Sequence, residues 1–284
     1  MSDLLTNAVA PDWEAFVDCI MRRHTPRRVH AIELFLDGEV RQSVAAEFKL
    51  WDGLDPDDPY LAQKQEVAVQ RFLGYDYVRQ GLDGLDFPMH RATTTDTAGL
   101  AHAGGRSFVD ESKGPITNRE EFEAYPWPSV RDATTRALEW YQENLPDDMC
   151  IVGSGGFAHF AEFLTWLMGY ETLCYALYDD RELVQAIADC LLDIYSASLE
   201  RILQFPRVKI VWGSDDMGFK TGPMISDSDL REFVLPSHRR MSEMSHAAGR
   251  PYILHACGNL KLIMRDLIDD VQIDGNHSFE DTIE

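Results

Sequence analysis

A histidine and a cysteine two residues apart, His255 and Cys257, are the pair in this sequence best suited to chemistry. They follow the apolar run at residues 252–254, which has the composition of a β-strand and is ended by Gly258. Side chains alternate faces along a strand, so we expect both to leave it on the same side. Imidazole and thiolate together suit zinc or another borderline-soft metal. Both residue types also pack in ordinary cores, so the pair alone predicts either half of a metal site or two buried core residues.

Four further polar residues are candidate catalytic groups. Asp215 and Asp216 follow a second apolar run, and His277 follows a third. Adjacent residues of an extended chain face opposite ways, so we expect only one of the two aspartates to enter a site; both could instead form a turn. Glu33 lies inside an apolar run, where a buried carboxylate needs a partner or a chemical task.

A glycine-rich turn links another apolar run to a helical pattern. It reads Gly153-Ser154-Gly155-Gly156-Phe157. Backbone N–H groups of such a turn can hold an anion, although a plain turn between strand and helix explains it equally. The dinucleotide fingerprint is incomplete, and the Gly-x-Ser-x-Gly pattern of hydrolases is absent. Gly155, Gly156 and Phe157 are therefore candidate binding residues for a ligand other than a dinucleotide.

Strand-like and helical patterns alternate along the chain, which predicts a parallel α/β fold. Six strands are expected, near Val29, Tyr75, Met149, Val208, Tyr252 and Val271. An open doubly wound sheet accepts six strands, whereas a (β/α)8 barrel needs eight. The candidate residues at the strand exits match a TIM-type barrel with its site at the C-terminal face, so we predict that fold.

Two additions to the barrel are predicted. An amphipathic helix over residues 12–23 forms an N-terminal helical extension, and short Thr- and Gly-rich pieces over residues 87–113 form a β-hairpin excursion with its turn at residues 103–106. We treat residues 1–284 as a single domain. Because the sequence stops as a sixth strand-to-helix loop begins, we expect the C-terminal part of the barrel to be missing.

Composition excludes several classes of partner. The chain of 284 residues is 45% hydrophobic and 11% aromatic, which is enough for a sizeable core. Its net charge of −22 argues against nucleic acid and anionic membranes as partners. No signal peptide or membrane-spanning run is evident. Five cysteines without disulfide-scaffold spacing predict a cytoplasmic protein.

Several segments between about residues 149 and 280 resemble the uroporphyrinogen decarboxylase superfamily. The matching segments are Gly155-Gly156-Phe157, Ser214-Asp215-Asp216-Met217-Gly218, Ser228-Asp229-Leu230-Arg231-Glu232-Phe233 and His255-Ala256-Cys257-Gly258-Asn259. The resemblance implies a TIM-type barrel with its site at the strand exits. It also makes Asn259 a candidate binding residue.

The superfamily contains two chemistries. True uroporphyrinogen decarboxylases carry an N-terminal Arg-Gln-Ala-Gly-Arg segment and an acid in a Phe-Ser-Asp strand; neither segment occurs here, and Asp76 is the nearest candidate for the acid. The other branch contains zinc-dependent methyltransferases that work with cobalamin or corrinoid proteins. Their zinc is held by a His-x-Cys pair, matched by His255 and Cys257, and by a later Cys that has no counterpart here.

The resemblance therefore implies a zinc-dependent methyltransferase that moves a methyl group between a corrinoid and a small thiol, ether or amine. The corrinoid would be a co-substrate or belong to a partner protein, and Asp215, Asp216 or His277 would orient the substrate or the metal ligands. Two alternatives stay open: a carboxy-lyase acting on a tetrapyrrole, and a non-catalytic corrinoid- or tetrapyrrole-binding protein. Exposed strand edges in an incomplete barrel would favour self-association, so a homodimer is possible.

Overall fold

The computed structural model describes residues 9–94, 106–154 and 157–278. Within these ranges, the central feature is a sheet of five parallel strands. The strands are β1 (Tyr77–Gln80), β4 (Cys150–Gly153), β5 (Val208–Ser214), β8 (Tyr252–His255) and β9 (Gly275–His277). Two short antiparallel pairs lie outside it: β2 (Arg91–Thr94) with β3 (Arg106–Val109), and β6 (Gly218–Phe219) with β7 (Gly222–Pro223).

The strands of the central sheet lie side by side in the order in which the chain makes them. A doubly wound sheet reverses its strand order at a switch point, whereas a barrel adds each new strand at the same edge. The sheet therefore has the winding of a TIM-type barrel, which confirms the predicted fold class. All strand exits lie at one edge of this sheet, because the strands are parallel.

Helices connect the strands and cover the outside of the sheet. They are α1 (Trp13–Ile20), α2 (Gly38–Phe48), α3 (Leu61–Leu73), α4 (Arg119–Ala124), α5 (Arg136–Asn144), α6 (Phe160–Met168), α7 (Tyr170–Asp179), α8 (Arg181–Ile202), α9 (Asp227–Asp229), α10 (Leu235–Ala247) and α11 (Met264–Asp269), with a π-helical turn at Leu230–Val234 between α9 and α10. No helix in the described ranges is both long enough and apolar enough to cross a bilayer.

Polar side chains fix where several helices begin. Asn118 caps α4 by accepting a hydrogen bond from the Glu121 amide at 3.0 Å, and Ser226 caps α9 by accepting from the Asp229 amide at 3.1 Å. Each of these side chains satisfies an amide that the first helical turn leaves unpaired.

Apolar side chains form cores on both faces of the sheet. The larger core lies between the sheet and the outer helices and contains fully buried side chains such as Leu191 of α8 and Leu254 of β8. Burial of one such side chain stabilises the fold by about 1.5–3 kcal/mol. The smaller core fills the inner face of the sheet, where Tyr77 and Trp212 meet edge to face at 6.4 Å. Phe16 of α1 stacks on Tyr77 at 5.7 Å, so the N-terminal helix closes this inner core from one side.

Residues 29–36 do not form the predicted strand. Val29 and Phe35 are 90% and 72% exposed, while Ile32 and Leu34 pack against the inner core. The Tyr77 hydroxyl accepts a hydrogen bond from the Glu33 amide at 2.9 Å and donates to the Glu33 carbonyl at 3.2 Å. The segment thus lies extended across the inner face of the sheet and turns every second side chain outward, so the prediction of a buried strand was wrong.

Two further short segments can be compared with what their sequence patterns indicate. Residues 37 and 38, an Asp-Gly pair typical of a turn, instead lie at the start of α2, with Asp37 as the N-cap residue. The hairpin excursion is confirmed as the antiparallel pair β2–β3, with Arg91 opposite Val109, although most of its predicted turn lies outside the described residues.

Candidate metal centre

Three potential metal ligands meet where β5 and β8 end. His255 Nε2 lies 3.3 Å from Cys257 Sγ and 3.3 Å from Asp216 Oδ1, and one ligand atom of each residue lies within 4.8 Å of the others. In β5 and β8, Ser214 pairs with His255, so Asp216 leaves its strand beside the His-x-Cys pair. The third group beside the sequence-predicted pair is therefore a carboxylate from the neighbouring strand exit.

Asp216 is held in place and ionised by its neighbours. Its Oδ1 accepts a hydrogen bond from the Cys257 amide at 2.9 Å. Burial opposes ionisation, but hydrogen bonds from His255 and Cys257 outweigh it and lower the pKa of Asp216 to about 2. The Asp216 side chain is 41% exposed and that of His255 is 8% exposed, so solvent reaches the cluster from the Asp216 side.

Two glycines bring the loops of the centre together. Gly258 has a φ of +84°, and a Cβ at this position would lie 2.1 Å from the Gly218 carbonyl carbon. Only a residue without a side chain fits such an approach. The Asn259 amide then donates to the Phe219 carbonyl at 2.9 Å, while the Asn259 side chain accepts from the Lys261 amide at 3.1 Å. Asn259 thus fastens the loop that carries Cys257.

His277 of β9 orients His255. The Nδ1 atoms of the two rings lie 2.7 Å apart, so one must donate and the other accept. Burial, with the nearby charges of His255 and Arg79, lowers the pKa of His277 to about 4, so His277 is neutral at pH 7. His255 can donate from Nε2 to Asp216, or, with His277 accepting from its Nδ1–H, it can direct the Nε2 lone pair at the cluster; the second arrangement is the one that binds a metal.

Comparison with known proteins gives the family. A model of the family described as "Uroporphyrinogen decarboxylase (URO-D)" matches residues 112–283, which is more than half of the chain. The chain belongs to the uroporphyrinogen decarboxylase family. The first 111 residues of the chain lie outside that match.

A solved structure has the same fold. A methyltransferase from Methanosarcina mazei superposes with a TM-score of 0.59 at 14% sequence identity, over 92% of this chain and 74% of that one. At this identity the likeness shows a shared fold alone. No curated protein matches the sequence significantly.

Asp215, a predicted catalytic residue, faces away from the cluster. It is fully buried and accepts hydrogen bonds from the Ala161 and Glu162 amides at 2.9 and 3.0 Å. His238 Nε2 lies 2.8 Å from its Oδ2, and His238 Nδ1 lies 3.0 Å from the Tyr252 hydroxyl. Asp215 therefore ties the start of α6 to β5, and of the two adjacent aspartates only Asp216 reaches the cluster.

The structure corrects the placement of Asp76. It lies directly before β1, at the opposite edge of the sheet from the metal centre. It is fully buried, pairs with Arg28, lies 2.7 Å from His30 Nδ1 and accepts from the Asp12 amide at 2.6 Å. The sequence motif of the decarboxylases placed an acid near this position, but a residue that precedes a strand cannot lie at its exit.

Glu33 and Phe157 line cavities near the strand exits. Glu33 is exposed and borders a cavity of about 470 Å³ together with Arg79 and Ser214. Phe157 is buried and borders a second cavity of about 590 Å³; its carbonyl accepts from the Ser214 amide at 3.1 Å. Gly155 and Gly156 lie outside the described residues, so their predicted binding role stays a prediction.

The sequence-based search missed two residues at the strand exits. His159 borders both cavities and pairs through Nδ1 with Glu162, whose pKa is raised by burial. Arg79 places its guanidinium 4.6 Å from the Trp212 ring and donates from Nε to Ser154 Oγ at 3.1 Å. The sequence did contain a signal for each. Arg79 is an arginine inside an apolar strand, and His159 is a histidine three residues before a glutamate at the start of a helix.

Proposed function

We propose that the protein is a zinc-dependent methyltransferase that exchanges a methyl group with a corrinoid. The observation that carries the proposal is the cluster of Asp216, His255 and Cys257 at the strand exits, with its ligand atoms within 4.8 Å of one another. Family membership and a methyltransferase of the same fold support it. The corrinoid, as free co-substrate or on a partner protein, and a homodimeric state remain predictions.

The donor set fits zinc. Tetrahedral zinc with bonds of about 2.0–2.3 Å separates its ligand atoms by roughly 3.3–3.8 Å. Both distances from His255 Nε2 are 3.3 Å, and all three ligand atoms lie within 4.8 Å of one another. Three protein ligands of mixed nitrogen, sulfur and oxygen type, open to solvent on one side, are typical of catalytic rather than structural zinc.

Bound zinc would supply Lewis acidity, which makes a thiol more nucleophilic or an ether oxygen a better leaving group. Asp216, His255 and Cys257 would hold it. His277, whose Nδ1 lies 2.7 Å from that of His255, would keep the His255 ring oriented by accepting from its Nδ1–H. Asp215 would not contact the metal. Its hydrogen bonds to the amides at the start of α6 would instead fix the end of β5, from which Asp216 extends.

The decarboxylase alternative is weakened by the position of Asp76. That residue is the candidate for the decarboxylase acid, yet it is fully buried at the amino end of β1 and engaged with Arg28 and His30. It cannot contact a substrate bound at the strand exits.

Metal analysis tests the zinc claim. We expect protein purified without added zinc to contain about one zinc per chain by mass spectrometry. His255→Ala and Cys257→Ser should lose it, whereas Cys174→Ser, a cysteine on α7, should keep it. Full zinc content in both site variants would contradict the assignment.

Methyl transfer tests the activity. Zinc-loaded protein is incubated with methylcobalamin and thiols, or with cob(I)alamin and methyl ethers or amines, and the change in corrinoid absorbance is followed. Transfer with at least one class is expected, and it should be abolished by His255→Ala. Zinc binding without transfer to or from any class would contradict the proposed reaction.

A further inference from the structure

The segment that crosses the inner face of the sheet, residues 29–36, is a strap rather than a strand. Within the described ranges it makes no backbone-to-backbone hydrogen bonds, whereas a strand in the same place would pair along its whole length. Ile32 and Leu34 of the strap pack against the inner core. Its carboxyl half, residues 33–36, also borders the cavity of about 470 Å³ at the strand exits. The strap is therefore both a cover of the inner core and a wall of that cavity.

One hydroxyl group holds the middle of the strap. The Tyr77 hydroxyl accepts a hydrogen bond from the Glu33 amide at 2.9 Å and donates one to the Glu33 carbonyl at 3.2 Å. Tyr77 lies on β1, is 1% exposed and stacks on Phe16 at a centroid distance of 5.7 Å. The hydroxyl is thus fixed in the sheet, and the strap is fastened to it at a single residue.

The two ends of the strap are held differently. At the amino end, Arg28 pairs with the buried Asp76, and His30 Nδ1 lies 2.7 Å from Asp76 Oδ2 with the His30 side chain 3% exposed. At the carboxyl end, Phe35 is 72% exposed, and Asp37 makes no side-chain cap to the helix that follows. The amino end is therefore the fixed end, and the carboxyl half is free to move once Glu33 is released.

The closed strap leaves buried polar atoms unsatisfied. Within the described part of the chain, the Nε1–H of Trp212 in the inner core has no acceptor, and Oε1 of Gln70 beside the cavity has no donor. A buried polar group without a partner costs free energy that contact with water recovers. A segment with few hydrogen bonds, next to such groups, opens at a lower free energy than the whole fold does.

The inner face beneath the strap leads to the metal centre through measured contacts. Arg79, which borders the cavity, places its guanidinium 4.6 Å from the centroid of the Trp212 ring. The Trp212 ring lies 5.1 Å from the His277 ring, and His277 Nδ1 lies 2.7 Å from His255 Nδ1. A chain of contacting side chains thus runs from the cavity to the histidine ligand.

We propose that residues 29–36 act as a latched strap, whose carboxyl half lifts from the inner face and joins the cavity to the space beside Trp212 and His277. The Tyr77 hydroxyl is the latch, and the contacts of Asp76 form the hinge. In the open state, water or a small ligand at the strand exits reaches the inner face of the sheet. The strap is a property of the fold, so it does not depend on which metal the centre binds.

Exchange of the Trp212 indole proton tests the opening. The full chain is placed in deuterated buffer, and NMR follows the Trp212 Nε1–H together with the backbone amides in the middle of β5. Because the strap opens without global unfolding, we expect the indole proton to exchange about tenfold or more faster than the β5 amides. Its rate should change little at low urea concentrations, since a local movement exposes little surface. Exchange that matches the β5 amides in rate and in urea dependence would overturn the proposal.

Two tyrosine variants test the latch. Tyr77→Phe keeps the ring but removes both hydrogen bonds to Glu33, so exchange of the Trp212 indole proton should accelerate by about fivefold to a hundredfold. Tyr75→Phe removes another hydroxyl that borders the cavity and does not bond Glu33, so it should leave this rate unchanged.

The β5 amides distinguish a latch from a general contribution to stability. In folded Tyr77→Phe their exchange should stay as in the unaltered protein. An unchanged rate for the indole proton, or an equal acceleration of the indole proton and the β5 amides, would show that the hydroxyl is not a latch. If Tyr77→Phe does not fold, the rate and urea dependence in the unaltered protein decide.

Discussion

At the scale of single residues, the metal centre depends on the protonation and orientation of one imidazole. His255 presents Nε2 to Asp216 and Cys257 because its Nδ1 is engaged by His277 at 2.7 Å. His277 is itself half-buried and packs against the Trp212 ring at a centroid distance of 5.1 Å. A neutral hydrogen-bond acceptor held against the far nitrogen of a histidine ligand selects the tautomer whose other nitrogen can bind a metal.

Replacement of His277 tests this role. His277→Phe keeps a ring against Trp212 but removes the acceptor, so zinc affinity should fall about tenfold to a hundredfold. Competition with a chromophoric chelator measures the affinity, and ¹⁵N NMR of His255 reports its tautomer. His24→Phe, on an exposed histidine, is the control. Unchanged zinc affinity in His277→Phe would mean that His277 does not orient His255.

Asp215 and Asp216 are adjacent in sequence but have different roles. A variant of Asp215 should therefore lose stability, whereas a variant of Asp216 should lose zinc affinity. Asp215→Ala leaves His238 and two amides without their buried acceptor and should lower the free energy of unfolding by about 3–5 kcal/mol. Asp216→Asn should cost little stability in zinc-free protein but lower zinc affinity at least tenfold. Urea unfolding and zinc titration of both variants compare the effects. Equal losses of stability would contradict the division of roles.

At the scale of elements, the centre is assembled from the last residues of neighbouring parallel strands and from the loops that follow them. β5 delivers Asp216, β8 delivers His255 and Cys257, and β9 delivers His277. Parallel pairing places these exits at one edge of the sheet, and the contact of Gly218 with Gly258 closes the remaining gap. Sheet register and this loop contact together bring residues that are far apart in sequence into one centre.

A pair of glycine variants tests the loop contact. Gly258→Ala puts a Cβ 2.1 Å from the Gly218 backbone, whereas Gly249→Ala meets nothing within 4 Å; both glycines have positive φ, +84° and +72°. Each should pay about 1 kcal/mol for its backbone conformation. Only Gly258→Ala should also lose zinc affinity, because its loop must move. Equal behaviour of the two variants in urea unfolding and zinc titration would contradict the contact.

At the scale of the whole molecule, apolar surface remains exposed. Within the described ranges, β1 and β9 are each paired on one side only, and Val29 and Phe35 are exposed on the segment that crosses the inner face of the sheet. We expect self-association, measured by analytical ultracentrifugation, and a shift towards monomer in the double variant Val29→Lys with Phe35→Lys. A compact monomer of the unaltered chain at all concentrations would contradict this expectation.

The sequence was sufficient to predict the features that depend on regular spacing, namely most of the strands and the side chains that share one face of a strand. Five of the six predicted strands occur, although the last, Gly275–His277, begins four residues after the apolar Val271 at which it was expected. The His255–Cys257 spacing predicted two neighbouring side chains, and they are neighbours. The choice between Asp215 and Asp216 required the twist and register of β5, which no local pattern contains.

The errors share a physical origin. Residues 29–36 are as apolar as a strand, but they cover the sheet instead of joining its hydrogen-bonded ladder, and only tertiary packing distinguishes the two. Asp76 matched a family motif loosely, but its position before β1 puts it at the far edge of the sheet. The cavity of about 590 Å³ that Phe157 borders combines residues from several separate parts of the chain, so no short stretch of sequence indicates it.

The most direct test of the central claim is zinc K-edge X-ray absorption spectroscopy of the metal-loaded protein. Coordination by Cys257 together with His255 and Asp216 predicts one sulfur at about 2.3 Å and nitrogen or oxygen ligands at about 2.0–2.2 Å. The sulfur contribution should disappear in Cys257→Ser. A zinc shell of nitrogen and oxygen alone in the unaltered protein, or one with two or more sulfurs, would contradict the proposed centre.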